Sequence, residues 1–229
     1  MDNIIIKGTN LCRYYKSGEQ TINALKNVDI EIKEGTLTIL RGRSGAGKTT
    51  LINILGAIDR PDAGEVYFNN AELSSLTDKE RDEVRRINYG FVFQSIALIP
   101  NMTAYENIEF ELLLSNYPAS ERDSRIKDCL KLVGLSNRAV HFPSQLSGGE
   151  AQRIAIARSI AHKPKVIFAD EPTGALDTKM GLQVVNVFKS LVQNEKLTVV
   201  MTTHDPNMME IADYVYTLQD GEIVNEWRN

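Results

Sequence analysis

The segment Gly42-Arg43-Ser44-Gly45-Ala46-Gly47-Lys48-Thr49 leaves a chain few ways to fold. It fits the pattern G-x-x-x-x-G-K-[ST], follows the short apolar run Thr36 to Leu40 and precedes an apolar helical segment from Leu51 to Ile58. Strand, glycine loop and helix in that order make a phosphate-binding unit of an α/β domain. The glycines let the backbone close around a polyphosphate with several N–H groups pointing inward, and the positive end of the following helix dipole faces the same anion. Lys48 then supplies a mobile cation to the β- and γ-phosphates, and the Thr49 hydroxyl is placed to ligate Mg²⁺. Gly42, Arg43, Ser44, Gly45, Ala46, Gly47 and Thr50 complete the expected nucleotide cradle. A bare glycine turn is the bland alternative, and the full match between strand and helix argues against it.

A second run, Val166-Ile167-Phe168-Ala169-Asp170-Glu171, is an apolar strand ending in two adjacent carboxylates. Burying such charges without a cation is costly, and a magnesium nucleotide supplies one. Strand C-termini of a parallel sheet open onto the ligand crevice, so Asp170 is expected in the metal shell and Glu171 as the general base toward a hydrolytic water. His204, after Val199-Val200-Met201-Thr202-Thr203, ends another strand and is expected to meet the γ-phosphate and that water. His141 and His162 read as ordinary packing residues.

The 229 residues suit one large domain, or one domain carrying an inserted lobe. With Lys plus Arg 26 against Asp plus Glu 30, the net charge of −4 disfavours nonspecific nucleic-acid binding, and no nucleic-acid partner is expected. The longest charge-free stretch, Ile87 to Tyr105, is interrupted by polar residues and proline, too broken for a membrane span. Met1 to Lys7 has the features of neither a signal peptide nor a presequence, so the expected compartment is the cytosol. Cys12 and Cys129, far apart and outside any CxxC, are expected to be reduced packing residues.

Thr36 to Leu40, Phe91 to Phe93, Val166 to Ala169 and Thr198 to Met201 read as buried strands of a largely parallel sheet. Thr77 to Glu80 is a capping box; Ile126, Leu130 and Val133, and then Val184, Phe188, Leu191 and Val192, repeat at helical spacing. Val28, Ile30 and Ile32 alternate with charged residues, as in a half-exposed antiparallel strand. The expectation is therefore an α/β fold: a P-loop core of parallel strands, an N-terminal antiparallel β-subdomain and an inserted helical lobe. The whole chain, 1–229, is expected to be one nucleotide-binding domain, with a RecA-like core at about 1–93 and 165–229 and the lobe at about 95–164. Glu222 to Asn229 carries little to hold it and is expected to be loose.

Leu146-Ser147-Gly148-Gly149-Glu150 resembles the signature motif of the ATP-binding cassette superfamily, whose usual final residue is Gln. Gln94 looks like that family's Q-loop, Gly174-Ala175-Leu176-Asp177 like its D-loop and His204 like its switch histidine. The resemblance covers nearly the whole chain. It implies that Tyr15, with Tyr14 as the substitute, stacks on adenine, that Gln94 joins Thr49 and Asp170 around Mg²⁺, and that Ser147, Gly148, Gly149 and Glu150 bind nucleotide held by a second copy of the chain. Ser147 and the two glycines lead into a helix, which makes a second anion-binding helix N-terminus on physical grounds as well.

Arg86 to Gln94, Leu98-Ile99-Pro100 and Thr103 to Asn107 are similar to the MacB and LolD branch. That resemblance implies an integral permease of the FtsX or MacB type as partner, a peripheral place on the cytoplasmic face of the membrane, and export or extraction of drugs, antimicrobial peptides or lipoproteins. Ile96, Leu98, Ile99, Met102 and Tyr105 read either as a groove for a permease helix or as lobe packing. The rivals are an FtsE-like cell-division ATPase and a soluble cassette ATPase; a P-loop kinase or GTPase is disfavoured because no Asn-Lys-x-Asp occurs and Leu146 to Gly149 would go unexplained.

Overall fold

The computed structural model describes residues 3–18, 20–204 and 206–229. The readings that include Met1 and Asp2 lie outside the described residues. The strands are β1 (Ile4–Ser17), β2 (Gln20–Lys33), β3 (Leu37–Arg41), β4 (Ala63–Phe68), β5 (Ala71–Glu72), β6 (Tyr89–Phe93), β7 (Val166–Asp170), β8 (Thr198–Thr203), β9 (Tyr214–Gln219) and β10 (Glu222–Arg228). The helices are α1 (Lys48–Leu55), α2 (Asp78–Asn88), α3 (Ala104–Leu114), α4 (Arg122–Leu132), α5 (Gly148–Ser159) and α6 (Thr178–Glu195).

A six-stranded sheet runs β10-β9-β3-β8-β7-β6. All neighbours from β9 to β6 pair in parallel, and β10 closes the edge antiparallel to β9. A smaller antiparallel sheet, β2-β1-β4-β5, packs beside it. Asn69 and Asn70, at φ +48° and +64°, make the tight turn between β4 and β5, as asparagine tolerates the left-handed region that such hairpins need.

The period of two along each buried strand divides the core. Ile39, Ile167, Ala169, Val199 and Met201 face the side packed with Ile108, Ile154, Val184 and Phe188 of the helices. Leu40, Val166, Phe168 and Val200 face the other side, with Leu51 and Leu55 of α1 and Ile30, Ile32 and Val66 of the small sheet. Both faces of the large sheet are thus covered, which is why its strands read as continuous apolar runs. Between β6 and β7 the described chain is helical, as expected, and the Thr77 and Thr103 capping boxes start α2 and α3. Leu98 and Tyr105 of the expected apolar cluster pack onto the core.

One expectation fails. Glu222 to Arg228 forms β10, held through its ladder to β9, and the Asn229 side chain donates to the carbonyls of Glu210 and Ala212. Its side chains are mostly exposed, so hydrophobic patterning carries no sign of a strand that backbone hydrogen bonds stabilise. Cys12 and Cys129 are free and buried, and burial pushes the Cys129 thiol up to about 11.

Candidate active site

The C-terminal ends of the parallel strands gather the site. Arg41 lies beside Thr203, Asp170 beside Thr202, and Phe93 beside Asp170. Every loop leaving this edge therefore opens onto one crevice. The turn from β3 into α1 requires glycine at two points. A Cβ at Gly42, φ +155°, would stand 2.4 Å from the Leu218 carbonyl oxygen, and one at Gly47, φ +103°, 2.5 Å from that of Ala24. Gly47 caps α1 in the left-handed conformation without any side-chain cap, so the first-turn N–H groups face the crevice with no side-chain acceptor of their own. The buried Lys48 reaches back, its Nζ donating to the carbonyls of Gly42 (2.9 Å) and Arg43 (3.2 Å).

Oxygen ligands converge next to it. The Thr49 hydroxyl donates to Asp170 Oδ2 at 3.0 Å, and the fully buried Thr202 hydroxyl donates to Asp170 Oδ1 at 2.6 Å. Thr202 Oγ1 in turn accepts the Glu171 N–H at 2.8 Å. Glu171 itself sits at φ +44°, an uncommon region for a non-glycine residue and one held here by that hydrogen bond. A hydroxyl and a carboxylate in contact are hard donors suited to Mg²⁺. Among the described residues no group of three or more His, Cys, Asp or Glu that could hold a metal ion is present. Thr202 was not singled out from sequence; its signal is a pair of hydroxyl residues, Thr202-Thr203, closing an otherwise apolar strand.

Glu171 lies between the Lys48 ammonium and the His204 ring, with Oε1 3.5 Å from Lys48 Nζ and Oε2 3.5 Å from His204 Nδ1. A cleft of about 530 Å³ is lined by Tyr15, Lys48, Thr49, Thr50 and Glu171, together with Ser44, Gly45 and Gly47. A second, of about 650 Å³, runs past the other side of the same loop, with Gly42, Arg43, Ala46 and His204 on its wall. Gln94 is exposed at the end of β6 with its amide against Gly174, and among the described residues no hydrogen bond joins it to Thr49 or Asp170.

Ser147, Gly148, Gly149 and Glu150 line neither cleft. They begin α5: Ser147 is the N-cap, its Oγ accepts the Glu150 N–H at 3.3 Å, and Glu150 Oε2 accepts the Ser147 N–H at 2.9 Å. Glu150 Oε1 accepts from Arg138 Nε at 2.8 Å. The backbone hydrogen bond from Ser147, and then Arg138, hold this carboxyl down to about 2. Both oxygens of the residue that departs from the usual signature are therefore engaged within the chain. Arg138 had no sequence signal. The two glycines admit close packing: a Cβ at Gly149 would be 3.0 Å from Met180 of α6, and one at Gly148 3.2 Å from Leu176.

The family model described as ABC transporter matches residues 25–174. The ABC transporter ATP-binding protein MJ0796 of Methanocaldococcus jannaschii is 46% identical over 226 residues, covering 97% of this chain and 96% of its own. The macrolide export ATP-binding/permease protein MacB of Vibrio parahaemolyticus is 37% identical over all of this chain, which spans only 35% of MacB. Among solved structures, the dimeric post-hydrolysis state of the cassette MJ0796 bound to ADP and Pi matches with a TM-score of 0.89 and 43% identity, over 97% of this chain and 98% of that one.

Proposed function

The chain belongs to the ABC transporter family and is an ATP-binding, ATP-hydrolysing subunit; from that membership we propose that it works as a head-to-tail pair driving an integral permease of the FtsX or MacB type. The observation that carries this reading is the separation of the two phosphate-binding helix N-termini. Ser147 to Glu150 stand outside both clefts that flank the P-loop, so a second copy is the simplest source of a signature motif over each P-loop. The dimeric state recorded for MJ0796 and the joined ATP-binding and permease functions in MacB's name support it.

In this reading the α1 N–H groups and Lys48 bind the β- and γ-phosphates, and Lys48 exchanges its contact with Glu171 for phosphate. Thr49 and Asp170 would hold Mg²⁺, which when bound neutralises charge on the phosphate oxygens. Glu171, released from Lys48, takes a proton from the water that attacks the γ-phosphorus as the bond to the β-phosphate oxygen breaks. His204 holds Glu171 Oε2 in line. Tyr15 carries the adenine at the far end of the cleft. Gln94, lying on Gly174, links the end of β6 to the helical segment between β6 and β7, so loss of γ-phosphate moves that segment against the sheet. Among the described residues no helix is long and apolar enough to cross a membrane; a permease would supply attachment to the cytoplasmic face and choose the drug, peptide or lipoprotein cargo.

Purification from membranes tests the partner. An integral protein with an FtsX-like extracytoplasmic domain should come with the chain and stimulate its ATPase. Capture of a cell-wall hydrolase regulator's permease would favour the cell-division role, and a purely soluble partner would contradict transport.

A further inference from the structure

We propose that Arg13, braced by Asp59 and Asp62, is a positioning residue that fixes the nucleotide-base platform, and so sets how strongly the site prefers a nucleoside triphosphate over bare triphosphate. This inference rests on the reading of Tyr15 as the residue that stacks on adenine.

Tyr15 projects from β1 near an exposed sheet end, where an unsupported ring would sample several rotamers. The structure supplies three supports. The Arg13 guanidinium carbon lies 4.8 Å from the centroid of the Tyr15 ring, a cation on one aromatic face. Asp59 takes that guanidinium as a fork, accepting from Nε and from Nη2, each at 3.0 Å. The Tyr15 hydroxyl donates to Asp59 Oδ2 at 3.1 Å. Asp62 adds a contact from Arg13 Nη1 at 3.1 Å and accepts the Tyr14 N–H at 2.7 Å, while its own N–H donates to the Cys12 carbonyl.

Two consequences follow from this placement. With the guanidinium over one face, only the opposite face of Tyr15 is left for a base. A cation behind the ring also draws electron density from it, which favours stacking against an electron-rich purine. Asp59 and Asp62 belong to the loop that follows α1, the helix whose N-terminus cradles phosphate, and the Asp59 N–H donates to the Asn53 carbonyl of α1 at 3.1 Å. The base platform is thereby tied to the C-terminal end of the same helix that grips the phosphates, fixing the span between base and phosphate sites.

The test compares dissociation constants for ATP and for inorganic tripolyphosphate, measured by calorimetry on the full chain and on the Tyr15→Ala, Arg13→Ala and Arg13→Lys variants. Tyr15→Ala and Arg13→Ala should both weaken ATP about 5-fold while leaving tripolyphosphate unchanged, the size expected for one cation–ring contact and the stack it supports. Arg13→Lys should fall in between, since it keeps a cation but loses the fork. If Tyr15→Ala loses the preference and Arg13→Ala keeps it, the positioning role is overturned and the stacking role stands. If neither loses it, the stacking reading of Tyr15 fails and takes the positioning role with it. Equal weakening of both ligands by Arg13→Ala would mean general damage to β1 and would also overturn the proposal.

Discussion

Two helices in this chain begin on glycine-rich loops, and their first turns are built in opposite ways. Helix α1 starts after Gly47 with no side-chain cap and no acidic residue in its first turn, so the positive end of its dipole has no side chain of its own first turn to offset it. Helix α5 starts with a complete capping box, and Glu150 already places a carboxylate on its positive end. Arg138 then offsets that carboxylate. On the proposed function, the first terminus is the primary anion site, and the second, already capped, completes a site held by another copy. That asymmetry suits the proposed sharing of ATP between two copies, with an open cradle on one and a capped helix end from the other.

Changes to the first cradle and its catalytic strand should have the largest effects. Glu171→Gln keeps shape and removes the base, so steady-state phosphate release should fall by about 10²- to 10⁴-fold; unchanged turnover would remove Glu171 from that role. Lys48→Ala deletes a buried side-chain cation that donates hydrogen bonds inside the loop and should weaken ATP at least about tenfold in calorimetry. Thr202→Val is nearly isosteric but strips both the bond to Asp170 and the acceptor for the Glu171 N–H. Turnover should drop about tenfold with ATP affinity nearly kept, a split that a folding defect would not produce.

Effects at the second terminus should be smaller and coupled. Arg138→Ala leaves the Glu150 carboxylate uncompensated beside incoming phosphate and should slow turnover about 3-fold, in line with a part-exposed ion pair. Arg138→Ala combined with Glu150→Gln should recover most of that loss; additive losses would deny the pairing. The smallest effect is on stability. Because the folded Glu150 carboxyl is held down to about 2, its contribution is complete above the ordinary glutamate range and is lost as pH falls from there toward 2. Thermal melts of Glu150→Gln should therefore lie below wild type near neutrality and converge with it at the acid end.

The sequence reading succeeded where one local pattern determines one local structure. The glycine loop between strand and helix, the apolar strands ending in Asp170 and Thr203, and the capping residues Thr77 and Ser147 all act within a few residues of themselves. It missed contacts that only the tertiary fold creates. Arg138 meets Glu150 across 12 positions, Arg13 meets Asp59 across 46, and Thr202 meets Asp170 across 32. Strand β10 was invisible for a different reason: its stability comes from ladder hydrogen bonds, which any sequence can make.

Light scattering on the Glu171→Gln chain with and without ATP tests the shared site most directly. The account predicts that ATP doubles the 25.6 kDa mass, and that adding Ser147→Arg abolishes the doubling while ATP stays bound to each P-loop. A single chain that holds ATP without pairing, or a pair indifferent to Ser147→Arg, would contradict it.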